Sequence, residues 1–236
     1  MEIRKSHCAW DGKRMPERIR RDEGTPKKVQ KENERRARET LRWSIAANFG
    51  WGDYHLVLTF IKKLRPGDEA TLIKIVQRFL RKMRRIYKKN CAELKYIWAA
   101  GIGERGGVHV HLICNSAVSL AATQALWEYG MVRASTLNDR GEYEKLANYL
   151  IGHFKVSDEE GMDFFKRWNS SRNLIKPTVK IEEIKARLWR EEIRVPSGYY
   201  LDRDSVRRGV DAFGFGWMEY RLLKIVSRSH RKKAAA

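Results

Sequence analysis

The chain has 236 residues, and 49 Lys and Arg against 29 Asp and Glu give it a formal charge of +20 at neutral pH. That length buries one substantial core, and such a field draws polyanions, nucleic acid first among them. No run approaches the roughly 18 apolar residues of a membrane span, and the first residues lack the apolar stretch of a secretory leader, so a soluble cytoplasmic protein with no membrane partner is expected. Cys8, Cys91 and Cys114 are odd in number and widely spaced, which supports neither a disulfide framework nor a zinc knuckle.

Residues 1–24 mix charges with Gly12, Pro16 and Gly24, and Thr25-Pro26 then offers a cap and a first-turn proline. A polar helix is predicted from there to about Ala47. Its segment KKVQKENERRARETLRW is mostly charged, which suits a solvated strut or a nucleic-acid contact equally. After Gly50-Trp51-Gly52, the stretch DYHLVLTF (53–60) reads as a buried strand, closed by Pro66-Gly67. From Glu69 to Lys89, Leu72, Ile75, Val76, Phe79, Met83 and Ile86 recur at helical spacing. The rest of that helix is basic: Lys74, Arg78, Arg81, Lys82, Arg84, Arg85, Lys88 and Lys89 occur with no acid between Thr71 and Asn90.

LKYIWAAGI (94–102) and GVHVHLICN (107–115) read as two strands of a hairpin joined by a glycine-rich turn. Ser119 caps a helix expected to reach Tyr129, Met131 to Thr136 suggests a strand, and Asn138 to Gly141 a turn. A helix is predicted from Glu142 to Phe154. FFKRWNSSRNLIKP is a loop with a strand candidate, Ile181 to Glu192 reads as helix, AFGFGWMEYRLLKI as a late strand, and SRSHRKKAAA as a disordered basic tail. The domain reading is a basic N-terminal extension at 1–47, a catalytic domain at 48–220 and a tail at 221–236. No internal repeat and no GxxxxGK[ST] phosphate loop occurs.

The chemistry concentrates in RGGVHVHLICN. Successive strand residues point to opposite faces, so His109 and His111 share one face while Val108, Val110 and Leu112 fill the other. Two imidazoles so placed can grip one divalent ion, although histidine pairs at this spacing also occur on plain solvent-facing strands. Three alternating histidines would suggest a nucleotide hydrolase, but Ile113 takes the third place. A zinc deaminase would need His-x-Glu with Cys-x-x-Cys, and both are absent. There remains metal-assisted attack of a tyrosine on a phosphodiester. In the 142–154 helix, Tyr143, Leu146, Ala147, Leu150 and Phe154 form the inward stripe. Tyr149 lies off it, with Lys145 at i−4 and His153 at i+4, and a boundary tyrosine that merely packs is the other reading.

Together DYHLVLTF, RGGVHVHLICN, LANYL and KRWNSSRNLIKP, in that order, resemble the HUH endonucleases, in particular bacterial rolling-circle replication initiators, over roughly residues 25–180. The resemblance implies an α+β fold of the ferredoxin-like split-βαβ kind, with a central antiparallel sheet of about five strands and flanking helices. It implies Mn²⁺ or Mg²⁺ held by His109 and His111, Tyr149 as nucleophile, and nicking and rejoining of single-stranded origin DNA or a DNA hairpin through a 5′-phosphotyrosine. A host helicase and polymerase are the implied partners. Members often carry an acid about eight residues before the first histidine, where this chain has Gly101; Glu104 is the nearest substitute as third ligand. A lysine often follows the tyrosine by three, and here Gly152 stands there, leaving Lys145 or Lys155 to neutralise phosphate charge. Arg105, Arg167, Trp168, Asn169 and Arg172 can grip phosphates and stack bases, or Trp168 and Arg172 can belong to the core. A single-tyrosine transposase or relaxase, and a non-catalytic DNA-binding protein on the same scaffold, are the competing readings.

Overall fold

The structure is a computed structural model. It describes residues 1–6, 27–103, 107–138, 143–152, 168–178, 180, 182, 192–210 and 215–225. In chain order the elements are β1 (Glu2–Ser6), α1 (Lys27–Asn48), β2 (Tyr54–Thr59), α2 (Glu69–Lys89), β3 (Tyr96–Ile102), β4 (Val108–Cys114), α3 (Leu120–Gln124), β5 (Val132–Thr136), α4 (Glu144–Gly152), β6 (Asn169–Ser170), β7 (Tyr199–Val210) and β8 (Gly216–Lys224). Chain contacts divide these into two units, residues 23–180 and residues 1–22 with 181–236.

The larger unit is built on a five-stranded sheet of order β5-β2-β4-β3-β6, antiparallel at every pairing, which is the α+β architecture expected. Alternation sorts its side chains cleanly. Leu56, Leu58, Trp98, Ala100, Val110 and Leu112 lie on one face, and α2 covers them with Leu72, Val76, Phe79, Leu80, Met83 and Tyr87. Ile97, Ala99 and Ile113 lie on the other, beneath Leu41, Ile45 and Phe49 of the α1 end and Tyr143, Ala147, Leu150 and Ile151 of the α4 segment. Asp68 begins α2 by accepting from the Thr71 amide at 2.8 Å, so the helix starts and stops where its apolar spacing predicts.

Three departures from the sequence reading have physical causes. The helix expected from Ser119 to Tyr129 ends at Gln124, because Trp127 and Tyr129 turn inward beside Phe60 and the Trp127 indole donates to the Thr59 carbonyl at 2.8 Å. Gly130 then passes so close to strand β2 that a Cβ would stand 2.4 Å from the Thr59 carbonyl oxygen. The polar helix is no separate extension: α1 reaches Asn48, and Leu41 and Ile45, four residues apart, are fully buried on the sheet. Strands β1 and β7 escaped notice, since β1 alternates on little more than Ile3 and β7 is interrupted between Asp202 and Arg207.

Those strands flank β8 in the smaller unit, an antiparallel sheet of order β1-β8-β7. Met218, Tyr220 and Leu222 are its buried cluster, with Ile3, Tyr199 and Leu201 packed against them. The Arg221 guanidinium sits 3.2 Å from Glu2 and 3.5 Å from Asp202, tying the outer strands to the central one. No helix among the described residues is long and apolar enough to cross a membrane. The expected start at Thr25-Pro26, the 139–141 part of the turn, the body of the 181–192 helix, the tail from 226 and Cys8 lie outside the described residues.

Candidate active site

Strand β4 is central, and its register decides what meets the two histidines. His111 lies opposite Val57 of β2 and Ala99 of β3; His109 lies opposite Thr59 and Gly101. Directly opposed residues share a face, so both imidazoles project to the α1/α4 side. His111 is buried, at 2% exposure, whereas His109 is half-exposed.

A third imidazole completes the group. His55 shares a face with Val57, two residues along β2, which makes it the diagonal neighbour of His111. Its Nε2 lies 3.2 Å from His111 Nδ1, and the two rings stack with centroids 5.4 Å apart. Burial pushes the pKa of His55 down, favouring the neutral imidazole that ligates metals. The His109 ring stands edge-on to His111, with centroids 4.8 Å apart. Its Nδ1 lies 3.1 Å from the Gly107 carbonyl, which as an acceptor fixes the tautomer with its lone pair on Nε2. The same carbonyl accepts from the Gly103 amide at 2.9 Å, so the closure of the hairpin turn also orients His109.

Helix α4 brings the fourth ring. Tyr143, Ala147, Leu150 and Ile151 bury against α1 and the sheet, and the Tyr143 hydroxyl reaches the carbonyls of Phe49 and Asn138, both at 3.4 Å. With that stripe anchored, Tyr149 projects sideways to the histidines. Its ring meets His111 edge-on at 5.1 Å between centroids, yet the residue stays 48% exposed. A half-exposed phenol against buried imidazoles is accessible to a large substrate. Lys145, one turn earlier, is exposed.

Do these donors suit a divalent ion? Imidazole–metal bonds of about 2.1 Å place two adjacent ligand nitrogens roughly 3.0–3.4 Å apart, and the His55–His111 separation falls in that range. The backbone acceptor behind His109 is the outer support that ligating histidines typically have. Among the described residues no three His, Cys, Asp or Glu side chains form a preassembled cage; the arrangement is a close pair with a perpendicular third ring. The donor types and supports therefore fit, with His109 needing only side-chain rotation to join the pair.

Of the other site residues expected from sequence, Glu104, Arg105, Lys155 and Arg167 lie outside the described residues. Trp168 packs against the α1/α4 core and remains half-exposed. Asn169 pairs with Trp98 and so faces the α2 side, away from the histidines. Arg172 is exposed and lines an open groove of about 420 Å³ with Ser44, Ser170, Ser171 and Lys176. Asn48 fixes the groove wall by exchanging two hydrogen bonds with the Ile175 backbone, at 2.7 and 2.8 Å. The row His55, Ile113, Ile97, Ser170 crosses three strand spacings, putting this groove about 14 Å from His55 on the same face.

Residues 53–154 match the family model for the replication-associated protein ORF2. The matched stretch is less than half the chain, but it opens at β2, ends just beyond α4, and contains His55, His109, His111 and Tyr149. It supports a role in replication initiation, with DNA as the partner. No curated protein and no solved structure matches the chain.

His55 is the residue the sequence reading missed. The signal was present: Tyr54, Leu56 and Leu58 alternate against His55, Val57 and Thr59. It becomes meaningful only once β2 is paired beside β4.

Proposed function

We propose that this protein is an HUH-type initiator that nicks and rejoins single-stranded origin DNA, with Tyr149 as nucleophile and His55, His109 and His111 as the metal-binding set. One observation carries the reading: a half-exposed tyrosine on a separate helix rests its ring on the buried histidine of a three-imidazole cluster. The match to a replication-associated family over the same residues agrees with it.

The third ligand follows from strand geometry. Gly101 lies opposite His109, so β3 sends no acid into the site. His55 supplies the missing donor from β2, on the other side of β4. A divalent cation, Mn²⁺ or Mg²⁺, would neutralise charge on the scissile phosphate. The Tyr149 oxygen attacks phosphorus, the bond from phosphorus to the 3′ oxygen breaks, and a 5′-phosphotyrosine and a free 3′-hydroxyl result; the phenolic proton passes to solvent. The reverse attack by a 3′-hydroxyl rejoins the strand. Tyr149 remains accessible because α4 is anchored by other residues, and Lys145 adds positive charge one turn away. Exposed Arg172 and Lys176, across the same face, hold the strand's phosphates.

The test is a labelled single-stranded origin oligonucleotide incubated with Mn²⁺ and run under denaturing conditions. A covalent adduct forms with the native chain and is absent from Tyr149→Phe. Persistence of the adduct in that variant means another residue is the nucleophile. Failure to form any adduct, with DNA binding intact, favours the non-catalytic DNA-binding reading.

A further inference from the structure

Helix α2 lies on the sheet face opposite the histidines, and its solvent side is a cationic line. Lys74, Arg78, Arg81, Arg85 and Lys88 recur at intervals of four, three, four and three, and all are exposed. That spacing keeps them on one stripe, and its 14 residues span about 21 Å. The neighbouring cations are partly engaged by the fold: Lys82 pairs with Glu128 at 2.6 Å, and Arg84 donates to the Tyr96 hydroxyl at 2.9 Å while lying over its ring. Arg78 reaches the Tyr129 hydroxyl at only 3.4 Å. Exposed Lys62, Lys63 and Arg65 precede the helix.

Packing does not call for these charges. The buried side of α2 is complete with its own apolar residues. Glu or Gln would suit the outer positions as helix formers, and like charges at these spacings oppose helix formation. A cost carried over four turns, with no acid between Thr71 and Asn90, points to an external anion. No large apolar side chain of α2 is exposed, so the stripe offers no platform for stacking unpaired bases. What it offers is phosphate contact along a straight line, as a duplex backbone requires.

We infer that the outer face of α2 is a second nucleic-acid surface that holds the sugar-phosphate backbone of duplex DNA, behind the face that takes the single strand. The inference extends the proposed initiator, for which a nicked strand has flanking duplex, but its test does not depend on cleavage.

The experiment compares the full chain with an Arg81→Gln/Arg85→Gln/Lys88→Gln variant, after circular dichroism has shown equal helix content. Binding to a labelled random-sequence duplex is followed by fluorescence anisotropy as salt is raised. Loss of three phosphate contacts is expected to reduce the slope of log affinity against log salt by about 2.7, with adduct formation on a short single strand unchanged. A control removes three exposed charges from the smaller unit, Arg4→Gln/Arg203→Gln/Lys224→Gln. An unchanged slope in the α2 variant, an equal loss in the control, or stripe-dependent binding to anionic lipid vesicles in place of duplex overturns the inference. Stripe-dependent duplex binding by a chain that forms no adduct leaves this surface standing and refutes only the nuclease reading.

Discussion

Replacing His55 with phenylalanine isolates the contribution of the third imidazole. The ring is partly buried in stacking contact with His111, and phenylalanine keeps a ring there while deleting the nitrogen 3.2 Å from His111 Nδ1. Loss of a group that orients or completes a metal site lowers affinity about 10–100-fold. An ion at 100 times its dissociation constant stabilises the folded chain by about 2.7 kcal/mol, and in a unit of this size each kcal/mol moves the melting temperature by about 2–4 °C. Mn²⁺ should therefore raise the native melting temperature by roughly 5–10 °C. At the same Mn²⁺ concentration, a tenfold weaker site retains about 1.4 kcal/mol, half the native gain, and a hundredfold weaker one almost none. Without metal the variant should melt no lower than the native chain, since burial already disfavours the charged form of His55. Differential scanning fluorimetry with and without Mn²⁺, supported by calorimetric titration, gives both quantities. An undiminished Mn²⁺ shift in the phenylalanine variant would refute the argument that β2 supplies a ligand.

Two predictions test the scaffold. Gly130→Ala drives a Cβ to 2.4 Å from the Thr59 carbonyl oxygen, a backbone atom that cannot swing away, so urea unfolding should show a loss of about 1–3 kcal/mol; a neutral outcome would mean that the Gly130 turn is not held against β2. Cys114 is fully buried and its thiol is pushed up to about 12, chiefly by burial, which leaves a thiolate fraction of roughly 10⁻⁴ at pH 8. Iodoacetamide at that pH should modify exposed Cys91 and spare Cys114 until the chain unfolds, as peptide mapping by mass spectrometry can read; rapid native labelling of Cys114 would contradict the packing of α2 on the sheet.

Periodicity made α2 and the β3–β4 hairpin legible, because their apolar residues keep strict 3.6- and 2-residue spacings against polar partners. The face shared by His109 and His111, and the position of Tyr149 off the inward stripe of α4, followed from the same counting. Non-local pairing was not legible. His55 acquires meaning only from the β2–β4 register, and β1 only from β8 at the other end of the chain. Nor did charge density disclose that α1 buries Leu41 and Ile45, since two apolar residues among many charges make a narrow stripe. The SSRNL block drew attention for its resemblance, but β6 divides it, with Asn169 facing α2 and Ser170 and Arg172 at the groove.

His55 and His111 are 56 residues apart in the chain, and Tyr149 arrives on yet another segment. A nascent polypeptide that has emerged only as far as β4 has its imidazoles but lacks its phenol, and a chain whose β2 has not docked has the phenol but only two imidazoles. Competence to cut a genome is thus withheld until translation and sheet closure are both finished, a built-in safeguard for a host that carries the gene.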